Sequence, residues 1–503
     1  MEEERLQELK SKLSELAYLN SANTLLHWDQ EVHMPDSAVD ARSKASSNLS
    51  KLIHQKFTSE EFEQLVQEAK QALDQGELSD EEEAIVREVS REFKREQKLS
   101  SEFVEQLTEV TSQAQEAWKQ AKQEQDFSIF QPHLEKIIKL KRKEADLVGY
   151  EDSPYDALLD TFEPYMITSE LESVFSELKD FLVPFLERIQ RSETEIEDGL
   201  LDQKFSIEQQ KEFSTEVIQE MGFELQRGVV EESVHPFTLS LHPSDVRFTS
   251  KFKEDDLQMS ILSTIHEAGH ALYEQGLPAE NFGTPLAEAV SVGIHESQSR
   301  IWELMVGSSS EFWQYFYPKL EEKFPEQLED YTYQDFYKAI NKVEPGLIRV
   351  KADEVTYNLH IILRFELEKA LIEQEIEVEQ MPELWNQKME DYLGIEVPND
   401  SAGVLQDIHW SLGNIGYFPT YALGTVYAAQ FYSTAQEKID NLDDKISNGD
   451  FEGFRSWLRE NIHIHGKYYK PKQLAKQASG EKLNPQHFID YLKDKYSRLY
   501  NLD

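Results

Sequence analysis

The segment Thr264–His270, T-I-H-E-A-G-H, places two histidines four residues apart within a stretch that the sequence predicts to be helical. Apolar residues recur at helical spacing over Leu257–Leu272. His266 and His270 then project from one face of the helix and can share one Zn²⁺. Glu267 lies about 100° round the helix axis, where a general base for a zinc-bound water is needed. Because apolar residues flank the motif, a metal site fits better than a solvated surface helix.

A catalytic zinc site usually takes three protein ligands and keeps a fourth position open, so a third ligand is needed. A second helix is predicted over residues 284–300, with Thr284 as its N-cap and Pro285 at its first position. Ala289 and Gly293 are small enough to let this helix pack closely against the first. On spacing alone, the candidates for the third ligand are Glu288, His295 and Glu296.

Helical patterns dominate the rest of the chain. Residues 3–150 carry apolar stripes separated by Glu, Gln and Lys, which predicts a bundle of packed helices. The period changes to two over residues 228–252, which predicts a hairpin or small sheet directly before the zinc helix. Segment 396–417 is rich in glycine and is predicted to be a functional loop. The fold class predicted from these patterns is mainly α.

Charge and composition exclude several classes of function. A formal net charge of −45 at pH 7 argues against nucleic acid as a partner, because its phosphates would be repelled. Without cysteine, the chain can contain neither a thiol nucleophile nor a disulfide framework. No apolar stretch approaches the roughly 18 residues of a membrane span, and the first residues lack a signal-peptide pattern. We therefore expect a cytoplasmic protein with no membrane partner.

Four further segments accompany the two histidine-containing motifs. They are H-P-F from His235, D-x-R-x-T from Asp245, I-R-x-x-A-D from Ile348 and G-x-x-Q-D-x-H-W from Gly403. Together with H-E-x-x-H and H-E-S-Q-S-R, these motifs resemble the carboxypeptidase Taq family of zinc metallocarboxypeptidases. The resemblance implies His266, His270 and Glu296 as zinc ligands, with cobalt able to substitute for zinc, and Glu267 as the general base. It also implies a homodimer.

The expected fold is an elongated helical peptidase body with a deep central cleft and one small β-sheet next to the zinc helix. We expect a single mainly helical metallopeptidase domain over residues 1–503, with the catalytic core over residues 228–421. Residues 1–150 are predicted to form an N-terminal helical lid subdomain.

Hydrolysis of a peptide bond also needs donors for the developing oxyanion. Candidates lie within or just after the glycine-rich loop, and the resemblance favours a histidine followed by a tyrosine near the metal. We expect His409 and Tyr421 to be catalytic and Tyr417 to bind substrate, although spacing alone does not choose between the two tyrosines.

An exopeptidase must bind the free α-carboxylate of its substrate, for which a bidentate arginine is suited. Arg349, near the start of a predicted helix over 350–373, is the first candidate, and Arg247 is the second. Each could instead pair with an acidic neighbour, Asp353 or Asp245. His235 is a further candidate for substrate binding.

The sequence therefore favours a zinc-dependent metallocarboxypeptidase that releases single amino acids from the C-terminus of peptide substrates with broad specificity. One alternative is an oligopeptidase or dipeptidyl carboxypeptidase of similar helical fold. The other is a peptide-binding or metal-binding protein without catalysis. Glu267 argues against the last of these, because binding alone does not need it.

Overall fold

The computed structural model describes residues 2–502 and confirms the mainly α fold. Helices fill the chain before the sheet: α1 Glu2–Val32, α2 Val39–Phe57, α3 Glu60–Gln75, α4 Asp80–Lys98, α5 Ser101–Glu124, α6 Phe127–Val148, α7 Pro154–Leu159, α8 Thr168–Gln190 and α9 Ile207–Met221. Ser59, Ser79 and Ser100 each accept a hydrogen bond from the amide three residues on. These caps satisfy amides that the start of a helix leaves without a partner.

A three-stranded sheet follows, made of β1 Gly228–Glu232, β2 Thr238–His242 and β3 Asp245–Ser250. β2 and β3 form an antiparallel hairpin, as predicted, and β1 pairs in parallel with the other side of β3. Within β3, Val246 and Phe248 are fully buried and Arg247 between them is partly exposed. This alternation is what a strand with one face on the core requires.

Helix α10, Leu257–Gly276, coincides with the apolar period that predicts it. Asp256 caps its start by accepting a hydrogen bond from the Met259 amide at 3.3 Å. The helix lies against the sheet, where the hydroxyl oxygens of Thr264 and Ser250 are 2.5 Å apart. Most of its side chains are buried, so the two histidines of the motif are held on a core helix.

The helix that carries Glu296 begins later than Thr284, so the predicted start is wrong. Thr284 caps only a 3-10 turn, Pro285–Ala287, after which the chain is extended. Helix α11, Val292–Arg300, begins behind Ser291, whose side chain accepts a hydrogen bond from the amide three residues on.

Contacts with a distant segment explain the later start of α11. The amide of Val292 donates to the Phe162 carbonyl at 3.0 Å, and the amide of Gly293 donates to Glu163 Oε2 at 3.1 Å. The segment between α7 and α8 therefore supplies partners for the first amides of α11. Spacing along the local sequence does not contain this information.

Close packing of α10 on α11 depends on Gly269 and not on the small residues predicted to allow it. A Cβ at Gly269 would lie 2.6 Å from the Gln298 carbonyl oxygen. Gly293 instead faces Glu163, and Ala289 precedes the helix. α11 continues directly into a π-helical turn, Ile301–Val306, a feature often found at functional sites.

The remaining helices are α12 Ser310–Lys323, α13 Pro325–Leu328, α14 Tyr333–Ile340, α15 Tyr357–Ile372, α16 Met381–Leu393, α17 Pro419–Lys438, α18 Leu442–Ile446, α19 Glu452–Asn461, α20 Pro471–Ser479 and α21 Gln486–Tyr500. The glycine-rich segment before α17 is irregular except for a 3-10 turn, His409–Leu412, as predicted for a loop. Every helix that the structure describes is too short or too polar to span a lipid bilayer.

Buried apolar side chains form a large cluster and a smaller one within residues 2–502. The large cluster includes side chains from α5 to α21. The smaller, which we call the N-terminal cluster, contains side chains between Leu6 and Phe93, together with Leu286. Residues 6–93 thus have a packed core of their own, whereas the lid subdomain over residues 1–150 stays a prediction.

Candidate metal centre and active site

Three side chains converge where α10 meets α11: His266, His270 and Glu296. Glu296 Oε2 lies 3.6 Å from His270 Nε2 and 4.0 Å from His266 Nε2. One ligand atom from each residue lies within 4.8 Å of the other two. Two imidazole nitrogens and one carboxylate oxygen are a donor set of catalytic zinc sites. The residues present therefore fit a metal ion, and they are the three that the family resemblance implies.

The other two candidate ligands have different partners. Glu288 accepts a hydrogen bond from Lys467 Nζ at 2.6 Å, and its side chain is half exposed. His295 Nε2 lies 3.0 Å from Glu274 Oε1, and its ring stacks on that of His270 with centroids 4.4 Å apart. Neither side chain joins the group of three. His295 instead packs against the ring of the candidate ligand His270.

Protonation of the ligands is set by burial and by charged neighbours. Burial lowers the pKa of His270 to about 3, so that its ring is neutral and can donate a lone pair. Burial acts to raise the pKa of Glu296, but Arg300 and the two histidines hold it well below its usual range. Burial also disfavours the charged form of His266, yet the Glu303 carboxylate raises its pKa to about 8.

Arg300 and Glu303 form hydrogen bonds with two of the candidate ligands. Glu303 Oε2 lies 2.8 Å from His266 Nδ1, which orients the ring and leaves Nε2 for a metal. Arg300 donates from Nε to Glu296 Oε1 at 2.8 Å and from Nη1 to Glu303 Oε2 at 3.2 Å. One oxygen of Glu296 is therefore occupied, and the other faces the two histidines.

Glu267 is held beside the ligands by a strand residue. Thr238, at the start of β2, donates a hydrogen bond from its hydroxyl to Glu267 Oε2 at 2.6 Å. Burial raises the pKa of Glu267 above its ordinary value. A buried carboxylate with a raised pKa is suited to accept a proton and then give it up near neutral pH.

The glycine-rich loop and α17 bring the aromatic candidates together. His409 Nε2 lies 3.2 Å from the Tyr421 hydroxyl, and the Tyr417 ring contacts both residues with centroids 5.5 and 5.4 Å away. One turn after Tyr421, Gly424 packs on Glu296 so closely that a Cβ there would overlap the ligand side chain. α17 thus places this aromatic group next to the metal ligands.

Comparison with known proteins identifies the family. A sequence model described as carboxypeptidase Taq (M32) metallopeptidase matches residues 8–496. The chain belongs to this family. Carboxypeptidase 1 of Bacillus subtilis is 40% identical over 490 residues, 97% of each chain. Thermostable carboxypeptidase 1 of Pyrococcus furiosus is 41% identical over 495 residues, 98% of each chain.

Solved structures of M32 enzymes have the same fold. A Pyrococcus furiosus carboxypeptidase superposes with a TM-score of 0.95 at 40% identity, covering 98% of this chain and 99% of its own. Trypanosoma cruzi metallocarboxypeptidase 1 gives 0.94 at 35% identity, also covering 98% and 99%. The resemblance and the metallocarboxypeptidase assignment are confirmed.

Arg349 of this M32 metallopeptidase is buried and lies in a 3-10 turn, Arg349–Lys351, so the helix predicted from residue 350 begins only at Tyr357. Its partner is not Asp353, whose carboxylate accepts hydrogen bonds from nearby backbone amides. Arg349 instead donates to Asp407 Oδ1 from Nε at 3.2 Å and from Nη2 at 2.8 Å. The physical reason is that Asp407 belongs to the loop that folds back over this turn.

Asp407 joins the arginine to the rest of the loop. Its second oxygen accepts a hydrogen bond from Arg364 Nε at 2.8 Å. The Arg349 guanidinium also lies 4.9 Å from the centroid of the Tyr421 ring. Arg349 is therefore brought into the same group of side chains as His409 and Tyr421.

Arg247 and His235 lie elsewhere, near the sheet. Arg247 forms a bidentate pair with Asp245, at 2.8 and 2.9 Å, and its guanidinium lies 5.9 Å from the Trp28 ring. Phe237 of the H-P-F segment packs on the same Trp28, whereas His235 is exposed. The H-P-F and D-x-R-x-T segments thus meet at α1, and the described contacts do not join them to the metal ligands.

Thr238, Arg300 and Glu303 are parts of the site that were not predicted from the sequence. Glu303 lies seven residues after Glu296, close to two helical turns, so helical spacing could have placed both on one face. Arg300 lies at the end of the H-E-S-Q-S-R motif and faces Glu296 at spacing i,i+4. Thr238 gives no local signal, because its role depends on the packing of β2 against α10.

Proposed function

We propose that this enzyme is a zinc-dependent carboxypeptidase that removes single residues from the C-terminus of peptides. The observation that carries the proposal is one buried group of side chains. It combines a His–His–Glu donor set, an acid beside it, and an arginine with free N–H donors. Broad specificity for the released residue is part of the proposal and is taken from the family resemblance.

His266, His270 and Glu296 would hold the zinc ion, and cobalt is proposed to substitute for it. When bound, the metal supplies a Lewis acid that activates water and polarises the scissile carbonyl. Glu267 accepts the proton of the attacking water and delivers it to the leaving nitrogen. His409 and Tyr421 stabilise the developing oxyanion with their polar hydrogens, and Tyr417 lines the substrate position next to them.

Arg349 is proposed to bind the α-carboxylate of the substrate. A guanidinium has five N–H donors, of which Arg349 uses two on Asp407 and one on the Tyr357 hydroxyl. Two donors remain on its terminal nitrogens, and these suit a carboxylate. Arg364 shares Asp407, so this group carries one excess positive charge. Arg247 and Asp245 cancel each other, which favours Arg349, while Arg247 and His235 remain second candidates.

A pair of matched peptides, one with a free C-terminal acid and one amidated, tests this proposal. Mass spectrometry of the digest should show ladders that lose one residue at a time from the free acid. Arg349→Ala should lower kcat/KM for the free acid by about 100-fold or more, because a buried charge-assisted pair is lost. It should barely change the slow cleavage of the amide.

Arg247→Ala is the control for this experiment. If it causes the acid-selective loss and Arg349→Ala does not, the two arginines exchange roles. Losses of two residues or internal cuts would favour a dipeptidyl carboxypeptidase or oligopeptidase. Equal rates on the acid and the amide would show that the wild-type enzyme does not recognise the chain end.

The proposal also includes the setting in which the enzyme works. It acts as a cytoplasmic homodimer on peptides, with neither nucleic acid nor membrane as a partner. The net charge of −45 supports the exclusion of nucleic acid. The homodimer is supported by the family resemblance.

A further inference from the structure

Two arginines of the site have different tasks but contact the same aromatic side chain, Tyr357. The guanidinium of Arg300 lies 4.2 Å from the centroid of the Tyr357 ring, within the range of a cation–π contact. The Tyr357 hydroxyl accepts a hydrogen bond from Arg349 Nη1 at 3.1 Å. Tyr357 is the first residue of α15 and is buried, so water does not weaken either contact.

On one side, the ring acts on the metal ligands through Arg300. Arg300 occupies one oxygen of Glu296 and holds Glu303, which in turn orients His266. The aromatic face supports the guanidinium from the side where it makes no hydrogen bond. Without that face, Arg300 can tilt, and the choice of which Glu296 oxygen faces the histidines is no longer fixed.

On the other side, the hydroxyl acts on Arg349. Asp407 holds Nε and Nη2 of this arginine, and the Tyr357 hydroxyl holds Nη1. The three bonds fix the plane of the guanidinium and leave one N–H free on each terminal nitrogen. Loss of the hydroxyl leaves Nη1 without its partner and lets the Arg349 guanidinium rotate about its contact with Asp407.

We infer that Tyr357 is a positioning residue that couples the two halves of the site. Its ring holds Arg300 behind the metal ligands, and its hydroxyl orients Arg349 toward the substrate carboxylate. The second half rests on the proposed carboxylate-binding function of Arg349, and the first half does not. The two halves separate chemically, because phenylalanine keeps the ring and removes only the hydroxyl.

The test compares Tyr357→Phe with Tyr357→Leu in the zinc-loaded enzyme. Transfer of zinc to a chromophoric chelator measures metal retention, and kcat and KM on the acid and amide peptides measure recognition. Tyr357→Phe should retain zinc as the wild type does but raise KM for the free acid about tenfold, with little change on the amide. Tyr357→Leu should also weaken zinc retention by about tenfold or more.

Tyr317→Phe is the matched control. Tyr317 is buried, and its hydroxyl donates to the Leu328 carbonyl at 3.2 Å, so the variant removes a buried hydroxyl that lies outside the site. It should behave as the wild type in both measurements. Should Tyr357→Leu fail to fold, Tyr357→Met fills a similar volume without an aromatic face and gives the same comparison.

Each outcome decides one half of the inference. Wild-type zinc retention in both Tyr357→Leu and Tyr357→Met would refute the support of Arg300. An unchanged acid-to-amide ratio in Tyr357→Phe would refute the orientation of Arg349, provided that Arg349→Ala does lower that ratio. If Arg349→Ala leaves the ratio unchanged, the proposed carboxylate function fails and takes the second half with it. The zinc measurement then still decides the first half.

Discussion

Among the residues that the structure describes, one side-chain hydroxyl orients the carboxylate of Glu267. Thr238 donates to Glu267 Oε2 at 2.6 Å and also lies 3.1 Å from the Glu267 carbonyl oxygen. A carboxylate at the edge of a metal site has several rotamers available, and the proposed proton transfer needs one of them. The hydroxyl of Thr238 selects that rotamer without contacting a metal ligand.

Thr238→Val should therefore reduce kcat without removing the metal. Valine keeps the shape of threonine but cannot donate, so kcat should fall by about tenfold, the effect of losing one hydrogen bond to a charged group. KM should change little, because Thr238 acts through Glu267. Metal analysis should give wild-type zinc in Thr238→Val and Glu267→Gln, the latter nearly inactive, and little zinc in Glu296→Ala.

Normal zinc in Glu296→Ala would contradict the assigned donor set and direct attention to His295 or Glu288. A loss of zinc in Thr238→Val would show that the strand supports the ligands and not the base.

The two histidines could be predicted from sequence because their geometry is local, whereas their supports are not. His266 and His270 are four residues apart on a helix, and this spacing alone places them on one face. Thr238 belongs to β2, which is separated from this helix by strand β3, and Tyr357 lies several elements after the helix. Which of these side chains reaches the site is decided by tertiary packing, which leaves no periodic signal.

One buried acid anchors the glycine-rich loop to α15. Glu368 accepts hydrogen bonds from the Trp410 indole at 2.8 Å, the Gly416 amide at 3.0 Å and the Tyr155 hydroxyl at 2.8 Å. Two of these donors belong to the loop that carries His409. The loop is irregular, so these bonds replace the regular hydrogen bonds that hold a helix or strand in place.

The stability of this anchor should depend on pH. Burial raises the pKa of Glu368 to about 7 from an ordinary value of 4.5. The folded chain therefore holds the proton more tightly than the unfolded chain. This contribution to stability is complete below about pH 4.5 and is lost as the pH rises through about 7, and it amounts to at most about 3 kcal/mol.

Glu368→Gln removes the titration, so its free energy of unfolding should differ less between pH 5 and pH 8 than that of the wild type. Denaturant titrations at the two pH values measure the difference. The same difference in both proteins would mean that Glu368 does not titrate in this range.

Element boundaries were predicted well where the signal is local and poorly where it is not. The start of α10 follows from its own apolar period, and the structure adds the cap at Asp256. Thr284 and Pro285 form a genuine helix-start signal, but the structure uses it for a single 3-10 turn. The longer helix begins at Val292, because Phe162 and Glu163 from a distant segment supply partners for its first amides.

The predicted homodimer can be tested by a direct measurement of mass. Light scattering over a series of concentrations should give twice the chain mass of 58.6 kDa. A mass of one chain throughout the series would overturn the dimer. Activity measured across the same series would then show whether a single chain is enough for catalysis.

The N-terminal cluster contacts the segment that joins α10 to α11. Leu286, which packs into this cluster, lies in the segment between the helix of the two histidines and the helix of Glu296. Ser14 of α1 lies close to Gly283 in the same segment. A displacement of residues 6–93 would therefore disturb the connection between the two ligand-bearing helices.

The side-chain charges at the candidate metal site balance the charge of one divalent cation. Glu267, Glu296 and Glu303 carry three negative charges when ionised, and Arg300 supplies one positive charge. With His266 neutral, as a histidine must be to ligate a metal, two negative charges remain, which is the charge that a divalent cation cancels.

The proposed binding of a substrate carboxylate by Arg349 follows a similar charge count. Arg349 and Arg364 outnumber Asp407 by one positive charge, and a peptide with a free C-terminal acid brings one negative charge. With the acid bound, this group of side chains carries no excess charge, whereas an amidated peptide would leave one buried cation without a counterion. Over the whole chain the net charge is −45 and repels anions. Under the proposed role of Arg349, local neutrality selects the end of a peptide, against the field of the protein as a whole.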